Sequence, residues 1–312
     1  MNGRVRIDRR SVLGLGLGAL VAGCGRAGDG EATLLAGDQK GGSKVVLEAS
    51  RNLDHLPYHI EWSSFPNAAP LLEALNAGAI DTGIGGDAAF IFAIGTGAAL
   101  KAIGAQKYEG PGPILVVRRD SSIRSLNDIA GKRIATPKGS VGHNFILAAL
   151  EAQGRPLDAV TFAFLSPQDG NAALLGGSVD GWAVWDPNAT LAERQGARLI
   201  FGDGLVPSYG LVFGSDRAIA NKRPLLSDYK RRLYQGWNWA AAHREDYARL
   251  LNRETGIPVN VWKTVTDRTK RLPVGITASL IADQQKTADR YARAGLIERR
   301  IDVKIGFDES FT

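Results

Sequence analysis

Hydrophobic and polar positions alternate in short blocks along most of the chain, and the blocks predict strands and helices in turn. The aromatic-rich "YHIEWSSF" (58–65) and the short apolar "AIDTGIG" (79–85), "AVTFAFL" (159–165), "GWAVW" (181–185) and "ARLIFGDG" (197–204) predict strands. In "NAAPLLEALNAG" (67–78), Leu71, Leu72 and Leu75 share one helical face, and Gly78 marks the stop. "DAAFIFAIGTG" (87–97) predicts a helix opened by Asp87, and "PQDGNAALLGGS" (167–178) another. "SLNDIAGKRIAT" (125–136) predicts a short helix, a Gly stop and a strand. "SKVVLEAS" (43–50) fits a strand or an early helix. "PILVVRRD" (113–120) and "YGLVFGSDR" (209–217) predict strands that cross between domains, and from Pro224 onward the pattern is mainly helical.

Alternating strands and helices imply an α/β protein with mostly parallel sheets. In such sheets ligands bind beyond the carboxyl ends of the strands. Three loops there carry polar residues ahead of a helix: Gly85-Gly86-Asp87, Gly139-Ser140 and Trp185-Asp186, the last read as a cap followed by an N1 proline. Gln39-Lys40-Gly41-Gly42 can join them. The stretch "ATPKGSVGHNFILAALEAQG" (135–154) is the clearest of these, with Ser140 at the N-cap of an amphipathic helix. A helix start exposes unpaired N–H groups and a partial positive charge, which suits an anion. The plainer role for Ser140 is to cap its own helix, and the two roles are compatible.

The chain has 312 residues and a net charge of +6, half of it carried by the first 23 residues. Apart from Lys230-Arg231-Arg232 there is no dense basic block, which argues against a nucleic-acid partner. Those 23 residues, "MNGRVRIDRRSVLGLGLGALVAG", have a basic start and an apolar run too short to span a bilayer. Arg9-Arg10 followed by Ser-Val-Leu resembles a twin-arginine export signal. Val21-Ala22-Gly23-Cys24 resembles a bacterial lipobox, so Cys24 is the expected lipidation site and residues 24–32 a tether at a membrane surface. Cys24 is the only cysteine, so no disulfide is expected. The chain lacks a P-loop, H-E-x-x-H and C-x-x-C, and "GIGGD" lacks dinucleotide-loop spacing. His55 and His59 stand at i, i+4, but Pro57 between them argues against a metal-binding helix. No metal and no cofactor is expected.

"GDQKGG", "IEWSSFPNAAPLLEALNAGAIDTGIGGD", "GSVGHNFILAAL", "VDGWAVWDPN" and "LPVGITASLIADQQKTADRYARAGLIERRIDVK" fall in this order across nearly all of residues 33–307. Together they resemble the solute-binding proteins of bacterial ABC importers for aliphatic sulfonates, taurine and nitrate, nearest the alkanesulfonate type. The resemblance implies a two-lobed α/β periplasmic-binding-protein fold of type II with two crossing strands as hinge. Lobe one would be about 33–115 plus 214–312, and lobe two about 116–213. Ligand would lie in the cleft, and hinge closure would precede docking on a permease and its ATPase. The expected protein is thus an exported, monomeric lipoprotein rather than an enzyme.

Residue by residue, the resemblance gives Gln39 a hydrogen bond near the ligand head group, and gives Gly86 and Asp87 the first-lobe wall. The Ser140 hydroxyl with the N–H groups of Val141 and Gly142 would hold sulfonate oxygens, flanked or braced by His143 and Asn144. Trp185 and Asp186 would form the facing wall, with Tyr209 near the return crossing. Lys40 and Lys138 could assist. Asp87 and Asp186 fit capping more easily than ligand contact, because a free carboxylate repels an anion. Trp182 and Trp185 point to opposite sides of a strand, with Trp185 toward the cleft. Ile84-Gly85 and Ala88-Ala89-Phe90 stand where the family often has hydroxyl residues and prolines, so a more apolar pocket is expected, suited to a longer or aromatic sulfonate. Nitrate, taurine or a thiamine precursor are alternative ligands. A desulfinase-like enzyme on this fold would need a cysteine nucleophile, and lipidation of Cys24 would leave none.

Overall fold

The structure is a computed structural model that describes residues 32–311. The expected export signal, Cys24 and all of the tether but Ala32 lie outside the described residues.

One six-stranded sheet is built from β1 (Thr33–Gln39), β2 (His59–Phe65), β3 (Thr82–Gly86), β4 (Leu100–Glu109), β10 (Tyr209–Ser215) and β11 (Lys270–Val274). Their order is β11-β4-β10-β3-β1-β2. A five-stranded sheet orders β7 (Thr161–Phe164), β6 (Arg133–Thr136), β8 (Gly181–Val184), β5 (Ile114–Val117) and β9 (Arg198–Phe201) as β7-β6-β8-β5-β9. Around the first sheet lie α1 (Ser43–Ala49), α2 (Ala68–Asn76), α3 (Asp87–Gly95), α7 (Asp216–Asn221), α8 (Arg223–Ala242), α9 (Arg244–Thr255), α10 (Val259–Arg268) and α11 (Ala278–Arg293). The second sheet carries α4 (Val141–Ala152), α5 (Pro167–Leu175) and α6 (Asn188–Arg194).

Both sheets are mixed rather than mostly parallel. β1 pairs in parallel with β2 and β3, and β6 with β7 and β8, as strand–helix–strand units require. β10 is antiparallel to β3 and β4, and β5 to β8 and β9. Neither β5 nor β10 follows a crossover helix. Each enters its sheet directly from the other one, so the parallel rule does not bind it. This also corrects the expected crossings. β5 belongs wholly to the second sheet and β10 wholly to the first, while the short links 110–113 and 202–208 pass between them.

"SKVVLEAS" forms the helix α1, which buries Val45, Val46 and Leu47. Gly78 stops α2 with φ of 68°, as expected. β11 was not anticipated in the C-terminal region; it adds an edge to β4, with Arg271 opposite Tyr108. Asp186-Pro187 precedes α6 instead of capping it, although Asp186 Oδ1 still accepts from the Thr190 N–H at 3.0 Å.

Helical spacing places the cores. In α8, Leu226, Tyr229, Leu233 and Trp237 recur every three or four residues and pack with α1, α9 and α10. Leu71, Leu75, Phe90, Phe213 and Tyr291 fill the other face of the first sheet. α4 is buried from Gly142 to Leu150, as an all-round apolar helix must be, so its N-terminus is held firmly. Among the described residues no helix is long and apolar enough to cross a membrane.

Candidate functional site

β1 ends at Gln39, β3 ends at Gly86, and β8 ends just before Trp185. With the N-terminus of α4 they enclose a cavity of about 250 Å³ between the sheets. Gln39, Gly86, Asp87, Ser140, Val141, Trp185, Asp186 and Tyr209 all line it. Gly142, His143 and Asn144 lie behind the lining.

Ser140 is an extended-backbone N-cap whose Oγ accepts from the His143 N–H at 3.3 Å and lies 3.1 Å from the Thr136 hydroxyl. Val141 and Gly142 open the helix, so their N–H groups have no carbonyl one turn back. The turn before them is over-determined. Gly139 has φ of 70°, and a Cβ there would stand 2.5 Å from the Phe92 ring, so glycine is required twice over. Its N–H donates to His143 Nδ1 at 3.1 Å. The Tyr291 hydroxyl donates to the Gly139 carbonyl at 2.9 Å and the Ser140 carbonyl at 3.2 Å. A Cβ on Gly142 would lie 2.5 Å from the Ala183 carbonyl oxygen, so glycine lets α4 start directly against β8.

His143 is buried against Phe162 and Phe164, with ring centroids 4.4 and 5.1 Å away. Burial, assisted by the Lys138 charge, lowers its pKa to about 4, so the ring is neutral and accepts from Gly139. Asn144 Oδ1 accepts from Arg290 at 2.6 Å and its amide donates to Thr287 at 3.3 Å. Both residues are therefore braces, and neither reaches the cavity.

The cavity carboxylates are occupied. Burial raises Asp87 to about 6, and its oxygens accept from Ala88 N–H at 2.7 Å, Gln284 at 3.0 Å and Tyr209 N–H at 3.1 Å. Asp38, raised by burial, accepts from the Ser43 hydroxyl at 2.6 Å and the Lys44 N–H at 3.1 Å. Asp186 accepts from the Thr190 hydroxyl at 2.6 Å and pairs with Arg268 at 3.3 Å. Gln39 donates one amide N–H to the Ile84 carbonyl at 2.8 Å. The Tyr209 hydroxyl donates to Asp283 at 3.1 Å, and burial with that carboxylate pushes its pKa up to about 12. By contrast Lys40, Lys138 and Arg271 line the cavity and make no ion pair among the described residues. Lys138 lies 5.8 Å from the Phe92 ring centroid, and Arg271 5.3 Å from that of Tyr108. The arrangement favours an anion.

A Cβ on Gly86 would meet nothing within 4 Å, so this wall is open, while one on Gly85 would stand 3.0 Å from the Phe213 ring and 3.1 Å from Ala68 Cβ. Trp182 is buried at 2% exposure while Trp185 reaches the cavity. Sequence reasoning missed Gln106, Tyr108, Trp237, Tyr247, Trp262 and Arg271. The aromatic residues carry the spacing of ordinary core, and only the β4–β11 pairing brings Arg271 to the site.

Two facing sheets with a ligand-sized anion cavity between them define a two-lobed solute-binding protein. The NMT1/THI5-like family matches residues 64–246. An aliphatic sulfonates-binding protein of Escherichia coli (strain K12) is 31% identical over 277 residues, which cover 87% of each chain. The chain belongs to this family. Among solved structures, the alkanesulfonate-binding protein SsuA from Xanthomonas axonopodis pv. citri, bound to MOPS, aligns with a TM-score of 0.81 and 32% identity. That match covers 89% of this chain and 98% of the other. The periplasmic aliphatic sulphonate binding protein SsuA from Escherichia coli aligns with a TM-score of 0.78 and 30% identity, covering 88% and 97%. The fold is the periplasmic-binding-protein fold of these structures.

Proposed function

We propose that the chain is the extracytoplasmic substrate-binding component of an ABC importer, capturing an aliphatic or aryl sulfonate in the cavity and delivering it to a permease for sulfur acquisition. One observation carries the reading: the α4 N-terminus opens onto a cavity whose three carboxylates are already hydrogen-bonded while its three cations are unpaired. The names of the relatives that span this chain support sulfonate as the anion. Ser140, Val141 and Gly142 would hold the sulfonate oxygens, Gln39 and Gly86 would flank them, and Trp185 would cover the carbon part. Hydrogen bonds to a charged oxyanion contribute about 1.5–3 kcal/mol each. Three or four of them reach the roughly −8 kcal/mol of a micromolar complex before closure costs. Binding rather than catalysis is the reading the relatives' names support, and a desulfinase-like reaction would lack its cysteine nucleophile if Cys24, the one cysteine, carries a lipid anchor after twin-arginine export. The two lobes, about 33–115 plus 214–312 and about 116–213, would close on the ligand as a monomer.

The test is a thermal-shift screen of the purified protein with taurine, short and long alkanesulfonates, benzenesulfonate, nitrate, sulfate and a thiamine precursor. Only ligands that bind the native state raise Tm. A rise confined to sulfonates is expected. A rise with nitrate or the precursor and none with sulfonates overturns the reading.

A further inference from the structure

The cavity has a second polar focus, set apart from the α4 N-terminus. It lies on the first sheet, at the ends of β4, β10 and β11. Gln106 is only 3% exposed, its amide N–H donates to the Tyr108 hydroxyl at 3.3 Å, and its Oε1 has no partner. Ser208 is 7% exposed and its hydroxyl is likewise unpartnered. Both line the cavity. Gly210 makes room for the cluster, because a Cβ there would lie 2.4 Å from the Tyr108 hydroxyl and 2.6 Å from the Gln106 amide nitrogen. Arg271 completes it, lying opposite Tyr108 across the β4–β11 pair, half-buried and without an ion pair among the described residues. Beside it, the largely buried rings of Trp237, Tyr247 and Trp262 line the cavity, and an adjoining recess of about 40 Å³ shares all three with Arg271.

Buried polar groups without partners are costly and rare, and the Ser208 hydroxyl can still donate to an acceptor on a ligand, whereas Gln106 Oε1 is an acceptor and takes no anion. An unpaired guanidinium beside them specifies the sign of that group, and its planar fork matches a carboxylate or sulfonate. The aromatic faces specify what leads to it.

We infer that the cavity takes sulfonates carrying a second acidic group: one anion sits on the α4 N-terminus, the other on Arg271 with the Ser208 hydroxyl, and a flat or apolar spacer lies along the aromatic wall. This deepens the sulfonate reading and rests on it.

Titration calorimetry on the purified protein tests it with matched pairs: 3-sulfopropanoate against propane-1-sulfonate, and 4-sulfobenzoate against toluene-4-sulfonate. In at least one pair the diacid is expected to bind about tenfold tighter or better, the scale of a charge-assisted bidentate contact. Arg271→Met keeps the stem and removes the charge, and is expected to erase that preference, so that diacid and monoacid bind this variant alike, the diacid having lost about tenfold more than the monoacid. Ser140→Ala should weaken both members of a pair alike. Equal affinity within both pairs for the unsubstituted protein overturns the second-anion assignment and leaves the sulfonate reading intact, without any reliance on the variant folding. An Arg271→Met protein that loses both members equally also overturns it. Binding of neither member of either pair overturns the sulfonate reading itself.

Discussion

The two ends of the cavity are built on different physics. At the α4 end the proposed recognising groups are mainly backbone N–H donors, and three buried side chains hold the turn still: His143 on the Gly139 N–H, Tyr291 on two carbonyls, Asn144 on Arg290. At the Arg271 end the recognising groups are side chains left without partners. The first end is pre-organised and, on the proposed reading, would suit oxyanions in general. The second is set by side-chain identity and is where relatives on the same fold can diverge in ligand. Rigid backbone sites resist substitution except at the residues that shape the turn, while side-chain sites change specificity at low cost to the fold.

Breaking the rigid end should have the largest effect. Gly139→Ala places a Cβ 2.5 Å from Phe92 at φ of 70°, so it should cost about 2 kcal/mol or more of stability. Sulfonate affinity should fall by about 100-fold, since strain in the turn displaces every donor on the helix start, a loss of roughly 2.7 kcal/mol. Calorimetry and thermal unfolding on the same sample read both. Ser140→Ala removes a cap and an oxyanion donor, and should cost about 1 kcal/mol of stability and about tenfold in affinity. If affinity holds while stability falls, Ser140 is only a cap. Tyr291→Phe frees the Gly139 and Ser140 carbonyls, and should lower affinity about threefold with Trp185 and Arg271 contacts untouched.

The smallest effect is a compensation with pH. His143 is lowered from 6.5 to about 4, so between those values the unfolded chain takes up a proton that the folded chain refuses. Its contribution to stability is therefore complete above pH 6.5 and shrinks as pH falls toward 4. Asp87 is raised from 3.8 to about 6, so between those values the folded chain holds the extra proton, and stability from this group grows as pH falls. The two oppose each other between about pH 4 and 6. Asp87→Asn removes one of them, so the Tm of that variant should drop by several degrees more than the unsubstituted protein's across this range. Parallel Tm profiles would mean that the fold does not hold Asp87 protonated in this range.

The strand–helix alternation, the helix beginning at Ser140, the opposite facing of Trp182 and Trp185 and the polar loops at strand ends were all legible in the chain, because each follows from local periodicity or capping chemistry, while the choice of Trp185 for the cleft came with the family resemblance. Asp87 and Asp186 read as carboxylates near helix starts, but not as groups saturated by Gln284, Tyr209 and Arg268, which come from segments about 80 to 200 residues away. His143 and Asn144 sat on the right helix turn. Their facing Phe162, Phe164, Thr287 and Arg290 are what turn them into braces.

What the sequence determined by itself is the local inventory: which segments are helices, which turns demand glycine, which helix start can receive an anion. Only the tertiary structure decided the direction of β5 and β10, the presence of β11, and the gathering of Arg271 on β11, Gln106 on β4 and Ser208 in the link before β10 around one cavity. The reason is physical. Periodicity and caps act over a few residues, whereas strand pairing and the burial of unpaired polar groups depend on contacts between segments about 60 to 170 residues apart, which no short window of sequence contains.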